Sequence, residues 1–470
     1  MTTTNSGPAV TTTENYNPNV TIGPVSDLPT LNANFPAIAN NGKTALVGTA
    51  QPYTAYVSTA GVWSPLLTPA AAATAQAQFT GGGVTLRAPY PMRKVQRALA
   101  RVRANKGNAT IACIGDSLTQ GSYAANVVNQ SNVGGRPLSW PIALAAILNG
   151  NGLSASTSSV IGDNSLYAHP QGSGTTAATA QLNLWDARCV YGASWMNTVG
   201  ALTAGGQMIY NSTGTLGAAG PETFTFTPAT AFDSFVIYYL RNGSATPTFT
   251  VNTDGTTVLA TINGGASATL STGTLLKTGG LAAGSINIVR TSTNTAALVG
   301  IVAWNSAAST VQVLNMGWPG SQTSSTSWTA TGGQTYLPLT VLANQYQPDL
   351  SIIYLGTNDV LTGNVATTAA NLSLIVANAL TTGDALLIAP PPIITSYSGG
   401  FATTANQAAL NAAIYQVSAA YSVPVLDLTA RWQDYNTTNA LGYYYSDGLH
   451  QIQLGYQDVA NAIASVLLSN

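Results

Sequence analysis

The amino-acid sequence predicts an α/β protein: a parallel five-stranded sheet in three layers, an inserted antiparallel β-sandwich, and a small β-rich segment near the start. Three observations carry this expectation. Five apolar runs of strand length, at 110–114, 311–315, 350–355, 385–388 and 423–428, alternate with helical patterns. A series of short β-type runs at close spacing separates the first of them from the second. The opening 83 residues hold only short β-type runs set among Thr, Asn, Gly and Pro.

In chain order, residues 1–35 are Thr/Asn/Pro-rich and read as an extended or flexible arm. Ala45-Leu46-Val47, Tyr53 to Val57 and Gly61-Val62-Trp63 read as a small hairpin module, and 68–83 as an Ala/Thr/Gly linker. Pro91 to Asn105 is a helical pattern with Val95, Leu99 and Val102 on one stripe. The stretch 87–106 holds half of the chain's 14 Lys and Arg. These read as the solvated face of a packed helix, with a basic patch for an anionic sugar as the alternative. The run Thr110 to Ile114 is a buried strand that breaks at Gly115-Asp116-Ser117. A helix then begins at Trp140-Pro141 and ends at Asn149-Gly150. Residues 151–187 read as mostly loop. The β-type runs are 223–227, 234–240, 248–252, 256–262, 285–290 and 298–304, with Asp254-Gly255 as a hairpin turn. Helices are expected at 404–420 and 453–468, and Pro424 suits only the entry of the last strand.

Composition narrows the function. Charged residues make up 6% of the chain and the net charge is −1, so there is no basic excess for nucleic acid. The polar surface must come from Thr, Ser, Asn, Gln and Gly, which suits neutral partners such as glycans. No apolar run is long enough to insert in a membrane. Residues 1–20 lack a basic start and an apolar core, so no signal peptide is expected there. Two cysteines, Cys113 and Cys189, cannot form a disulfide framework, and Cys113 inside an apolar run reads as a buried thiol. Two histidines, His169 and His450, argue against a His-rich zinc site. No metal or cofactor is expected.

The chemistry gathers at strand ends. In a parallel sheet the carboxyl ends of the strands share one edge. Gly115-Asp116-Ser117-Leu118, Asn315-Met316-Gly317-Trp318-Pro319-Gly320 and Gly356-Thr357-Asn358-Asp359 each follow a strand, and Ser446-Asp447-Gly448-Leu449-His450 precedes the last helix. A nucleophilic Ser117 needs a base, and His450 is the candidate. His450 in turn needs an acceptor on its other ring nitrogen, and Asp447 lies three residues away. Acyl transfer also needs donors for the developing oxyanion, for which the Ser117 N–H, the Gly320 N–H and the Asn358 side-chain amide are candidates. Glycine at 320 is read as allowing close backbone approach. Each motif also has a bland reading: Asn358-Asp359 as a helix cap, Gly317 and Gly320 as turn glycines, Asp447-Gly448 as a turn. His169 ranks as a loop residue.

Together the motifs resemble blocks I, II, III and V of the SGNH/GDSL hydrolase family. They appear as Gly115-Asp116-Ser117-Leu118, Asn315-x-Gly317-x-x-Gly320, Gly356-x-Asn358-Asp359 and Asp447-x-x-His450. The resemblance covers about 107–150 and 311–470. It implies a flavodoxin-like sheet and ester hydrolysis through a Ser–His–Asp arrangement. The 203-position gap between Ser117 and Gly320 departs from the family pattern, where these blocks lie closer together. The inserted β-sandwich resembles carbohydrate-binding modules attached to some glycan O-acetylesterases. The hairpin module loosely resembles segments near the start of phage tail fibres and tailspikes. The absence of G-x-S-x-G around the serine argues against an ordinary α/β-hydrolase.

The resulting expectation has four parts: 1–83 an arm and attachment module, 84–187 and 309–470 the hydrolase domain, and 188–308 the inserted sandwich. The expected protein is a carbohydrate O-acetylesterase acting on an acetylated bacterial surface polysaccharide, in a phage tail (the virion) or otherwise extracellular. Phage tail components and further copies of the chain are the candidate protein partners. The alternatives are an esterase or lipase for longer acyl chains, and a non-catalytic receptor-binding tail protein. Trp185, Tyr191, Trp195, Tyr238, Tyr239 and Trp304 supply rings for stacking on sugar or for a sandwich core. Alternation along one strand puts Tyr238 and Tyr239 on opposite faces, one for the core and one for contact with glycan.

Overall fold

The computed structural model describes residues 22–40, 44–47, 54–59, 62–65, 92–126, 135–162, 186–192, 195–203, 206–211, 223–241, 248–263, 271–281, 284–292, 297–324, 328, 343–397 and 401–468. The chain divides into two compact units, Met1–Gln78 and Phe79–Asn470. In the first unit the strands Ile22–Val25, Thr44–Val47, Thr54–Thr59 and Val62–Pro65 lie side by side in that order. The first pair is parallel and the other two are antiparallel. The expectation of an arm over 1–35 fails from Ile22 onward. Asp27 caps a helix, Leu28–Asn34, by accepting from the Thr30 N–H at 2.7 Å, and a proline sits in the first turn. Trp63 is buried with Leu31, Ala37 and Ala45, and its Nε1 donates to the Phe35 carbonyl at 2.9 Å. The expected linker over 68–83 lies outside the described residues.

The second unit is built on a parallel sheet. Its order is Val425–Asp427, Asp384–Ala389, Leu350–Tyr354, Ala109–Gly115, Val311–Gly317 and Ala155–Ser156. Every neighbouring pair is parallel. The sheet therefore has six strands where five were expected. The sixth, Ala155–Ser156, is two residues long and offers no period to read. Side chains alternate across the sheet. On one face Ile111, Cys113, Val313 and Ile352 pack with residues of the helices Arg93–Arg103, Trp140–Gly150 and Gln453–Leu468. On the other, Ala112, Ile114, Leu314 and Ile353 meet residues of the helices Thr368–Leu380 and Thr404–Tyr421. The first of these helices buries Val95, Ala98, Leu99 and Val102, as its stripe predicts. Lys94 on it donates to the Leu380 and Gly383 carbonyls, both at 3.0 Å. That lysine ties this helix to the end of the helix Thr368–Leu380 and the turn that follows it.

Between Ala155–Ser156 and Val311–Gly317 the chain forms two antiparallel sheets. One has the order Ser271–Lys277, Ser234–Arg241, Ala297–Trp304, Gly206–Asn211 and Trp195–Thr203, with Ser159–Ile161 also paired to Ala297–Trp304. The other runs Ala260–Asn263, Thr248–Asn252, Ile286–Arg290, Thr223–Phe226 and Cys189–Tyr191. The expected strand at 256–262 begins only at Ala260, because the Asp254 side chain accepts the Thr256 and Thr257 N–H groups and extends the turn. These sheets begin at Ser159, inside the stretch expected to be loop. A shared cluster holds Val160, Trp195, Phe224, Phe235, Ile237, Phe249 and Ile301 among others. Cys113 and Cys189 are buried free thiols.

The two tyrosines of Ser234–Arg241 do face opposite sides, and each packs on a core while staying half-buried. Tyr239 packs edge-on against Phe249, ring centroids 5.9 Å apart, on the inner face. Tyr238 lies on the outer face, 4.5 Å from the ring of Tyr346, which belongs to the core of the parallel sheet. Val299, Val302 and Ile161 join that same core. Trp195 is buried 6.0 Å from Phe224, Trp304 is half-buried, and Trp185 and the Tyr191 side chain lie outside the described residues.

The antiparallel sheet thus covers Leu314, Met316 and Tyr346, as a helical layer would. Burying one such side chain contributes roughly 1.5–3 kcal/mol. Replacing 188–308 by a Gly/Ser linker should therefore cost soluble, folded protein, and with it activity on a small ester as much as on a polymer. Thermal melting and ester assays of the deletion variant check this. A folded variant active on the small ester would contradict it.

Candidate active site

Ser117 opens a single helical turn, Ser117–Gln120, at the carboxyl end of Ala109–Gly115. Asp116 caps that turn: its Oδ1 accepts the Leu118 N–H at 2.9 Å. The Ser117 N–H stands at the first helical position, where no intrahelical acceptor exists. His450 Nε2 lies 2.9 Å from Ser117 Oγ, and Nδ1 lies 2.7 Å from Asp447 Oδ2. Asp447 Oδ1 also accepts the N–H groups of Leu449 and His450, at 2.9 and 3.0 Å. The carboxylate therefore shapes the turn that aims the imidazole as well as holding its Nδ1. Burial pushes the Asp447 carboxyl up, but the bond and charge of His450 outweigh it and leave it below the usual range. Ser117 and His450 are 8% and 9% exposed.

Block II sits beside this chain of hydrogen bonds. Asn315 is buried, and its amide donates to the Thr119 carbonyl at 3.0 Å while its Oδ1 accepts the Gly317 N–H at 3.0 Å. Gly317 lies against the nucleophile's turn, where a Cβ would fall 2.1 Å from the Gln120 nitrogen. Gly320 is glycine for a different reason from the one expected. A Cβ there would meet nothing within 4 Å, but its φ is +74°. It completes the turn Trp318–Ser321, closed by the Ser321 N–H on the Trp318 carbonyl at 3.1 Å. Close approach is thus the property of Gly317, and left-handed backbone that of Gly320.

Asn358, the second residue of the helix Thr357–Thr362, donates from Nδ2 to the Ser321 carbonyl at 3.0 Å and to Asp116 Oδ2 at 3.2 Å. It links the loop of Gly320 to the residue before the nucleophile. Donation to an oxyanion would exchange the longer of these bonds. Among the described residues Asp116 has no cationic partner. Burial, with Asp359 as a neighbouring like charge, raises its carboxyl to about 7 against the pull of the Leu118 N–H. Burial likewise raises Asp359, against the bonds it receives from Thr323.

Three features lay outside the sequence reading. Tyr123 packs its ring 4.9 Å from that of His450 and stacks on Tyr445 at 4.2 Å. Asp116 acts as cap and amide acceptor. A buried ion network joins the antiparallel sheets to block II: Arg188 holds Asp186 with two bonds of 2.8 Å, and Arg136 lies 3.5 Å from Asp186 and from the Asn315 carbonyl. Burial would raise Asp186, but Arg188 and Arg136 hold it below the usual range. A local Asp-x-Arg pattern at 186–188 was the available signal, but its partner lies 50 residues upstream. His169 falls outside the described residues, and among those described no cluster of metal-ligating side chains occurs.

Comparison with known proteins bears on the fold. Residues 290–457 match the model of the GDSL-like Lipase/Acylhydrolase family, a span that holds Asn315, Gly320, Asn358, Asp447 and His450. No curated protein matches the chain. A solved structure of a peptidoglycan O-acetylesterase aligns with a TM-score of 0.57 at 18% identity, covering 83% of this chain and 99% of that one. A lipase/acylhydrolase from Enterococcus faecalis aligns at 26% identity over 33% of this chain and 75% of its own, with a TM-score of 0.28. The acetylxylan esterase Axe2 from Geobacillus stearothermophilus aligns at 16% identity over 34% and 73%, with a TM-score of 0.26. The fold is that of an SGNH hydrolase, with a parallel sheet and added antiparallel sheets.

Two outcomes follow from the site. Ser117→Ala should lower ester hydrolysis by on the order of 10³-fold or more while leaving the melting temperature close to wild type. Retention of over about a tenth of wild-type turnover would exclude Ser117 as nucleophile. Asp116 is raised in the folded state, so the native protein binds the extra proton and loses stability as pH climbs from the unfolded carboxylate value to about 7. In Asp116→Asn that loss is absent. Melting curves of the two proteins should shift in the variant's favour between about pH 4 and pH 7 and run parallel above.

Proposed function

We propose that this protein is a serine esterase that removes O-acetyl groups from a bacterial surface polysaccharide, in a phage tail or otherwise outside the cell. The observation that carries the esterase reading is the continuous hydrogen-bonded chain Asp447–His450–Ser117 beside the Asn358 amide and the free end of a helical turn. Ser117 Oγ attacks the acyl carbonyl as His450 Nε2 takes its proton. The tetrahedral oxyanion is met by the Ser117 N–H, with Asn358 Nδ2 and the Gly320 N–H as the further donors. His450 then gives the proton to the departing alcohol oxygen, and an acyl-serine remains. Water attacks the acyl-serine with His450 as base, releasing the acid and restoring Ser117. Asp447 holds the imidazole tautomer throughout.

Three things support the acetyl-glycan reading. The chain presents a neutral polar surface, with 6% charged residues. Its fold extends over 83% of its length onto that of a peptidoglycan O-acetylesterase. The nearly buried Ser117 and His450 suit a short acyl group. The polar composition and the small β module before residue 84 support a tail or extracellular setting.

Acetate release from a panel of O-acetylated capsules, O-antigens and peptidoglycan tests the substrate. Nitrophenyl acetate should be turned over at least about tenfold faster than nitrophenyl octanoate. A preference for octanoate would favour a lipase-type esterase instead. Inertness toward all esters would favour a receptor-binding protein.

A further inference from the structure

We infer that Asp116 is a positioning residue that sets two of the oxyanion donors at once, an inference that rests on the esterase reading above. Its two carboxylate oxygens have separate tasks. Oδ1 accepts the Leu118 N–H at 2.9 Å and so caps the turn Ser117–Gln120, which fixes the direction of the Ser117 N–H. Oδ2 accepts from Asn358 Nδ2 at 3.2 Å. A cap alone does not call for an aspartate here. Serine, threonine or asparagine also caps a helix and carries no charge to bury. Asp116 is wholly buried, and burial raises its carboxyl to about 7, with Asp359 as a like charge nearby. Against that cost, the carboxylate supplies a second acceptor aimed away from the turn, and Asn358 is what it meets.

The second acceptor matters because an asparagine amide is poorly held by its own side chain. Its last torsion is broad and lacks sharp staggered wells. One hydrogen bond leaves such an amide free to swing. Asn358 Nδ2 has two, to acceptors that follow different strands of the parallel sheet. The Ser321 carbonyl, at 3.0 Å, lies beyond Val311–Gly317, and Asp116 lies beyond Ala109–Gly115. Together they fix the plane of the amide. Asp116 is itself anchored, since its backbone carbonyl accepts the Thr119 and Gln120 N–H groups at 3.1 and 3.0 Å. The oxyanion then takes over the longer bond from an amide whose plane is already set, so little reorganisation is left for the moment of reaction. One side chain thereby aligns donors from two separate loops.

The test is a double-mutant cycle on the full-length protein, with kcat and KM measured on nitrophenyl acetate at about pH 8, where Asp116 is ionised. Asp116→Asn keeps the volume and the cap, because its amide oxygen can accept the Leu118 N–H. Its NH2 then faces the NH2 of Asn358, and two donors cannot bond to one another. The positioning role predicts a kcat at least about tenfold lower with KM within about threefold of wild type. In an Asn358→Ala background the same Asp116→Asn change should cost less than about twofold, because no amide is left to misalign. A carboxylate that only builds the turn would cost the same factor in both backgrounds. Asp116→Ser, whose hydroxyl caps but stops short of Asn358, carries the same test if the asparagine variant melts early. A folded Asp116→Asn protein with kcat within about threefold of wild type overturns the inference, as do equal factors in the two backgrounds. Wild-type protein inert toward every ester would sink the esterase reading and this inference with it. An active wild type with an additive cycle sinks the positioning role alone.

Discussion

The hydrogen bond between Ser117 and His450 joins residues 333 positions apart, and the architecture is arranged to make it. Neither residue can be placed by local structure alone. Ser117 is fixed because Ala109–Gly115 is paired on both sides, to Val311–Gly317 and to Leu350–Tyr354. His450 is fixed because Asp447 shapes its turn and because the helix after it packs across the face that holds Ile111 and Cys113. A central strand buried on both faces has no freedom to slip, since a shift of one residue would exchange its two apolar faces. The precision of the site is in this sense a property of the sheet's register.

Polar groups near the nucleophile follow a stricter rule than apolar ones. Asn315, Asn358 and Asp116 are spent on holding backbone: one amide grips the Thr119 carbonyl, another bridges the Ser321 carbonyl and Asp116, and the carboxylate caps the turn. A buried polar group without a partner costs about 1–3 kcal/mol, and these three are matched within the fold, whereas the buried Thr119 and Thr357 hydroxyls are not. The resting site is therefore pre-assembled, and two glycines shape the loop beside it: Gly317 by contact with Gln120, Gly320 by backbone sign.

Much of this was legible in the sequence. Apolar runs bounded by Gly-Asp-Ser, Asn-x-Gly and Gly-x-Asn-Asp announce parallel strands and the edge where chemistry collects. Asp447 and His450 were readable because three positions fit one turn. The two-residue strand Ala155–Ser156 was not readable, since it has no period. Nor was the ordered start of the chain from Ile22, because a cap as short as Asp27-Leu28-Pro29 is easily lost in a Thr/Asn-rich stretch. The fate of Tyr238 and Tyr239 shows a deeper limit. Alternation gave the two faces correctly, but only the fold reveals that the outer face packs on Tyr346. Tyr123 escaped because nothing in a lone tyrosine after Gly-Ser marks a left-handed residue beside an imidazole.

The long excursion between Ala155–Ser156 and Val311–Gly317 also has a bearing on how such a chain can acquire new parts. Loop closure grows only logarithmically, about 0.6 kcal/mol for each doubling of length, so separating two neighbouring strands by a whole pair of sheets is thermodynamically inexpensive. What the addition changes is evolutionary reversibility. Once Tyr238, Val299 and Val302 cover Leu314 and Met316, and Arg136 and Asp186 bridge the join, the parallel sheet no longer presents a finished surface without them. The inserted sheets are thus part of the wall they rest on, and outer loops away from that seam are where a change of sequence costs the fold least.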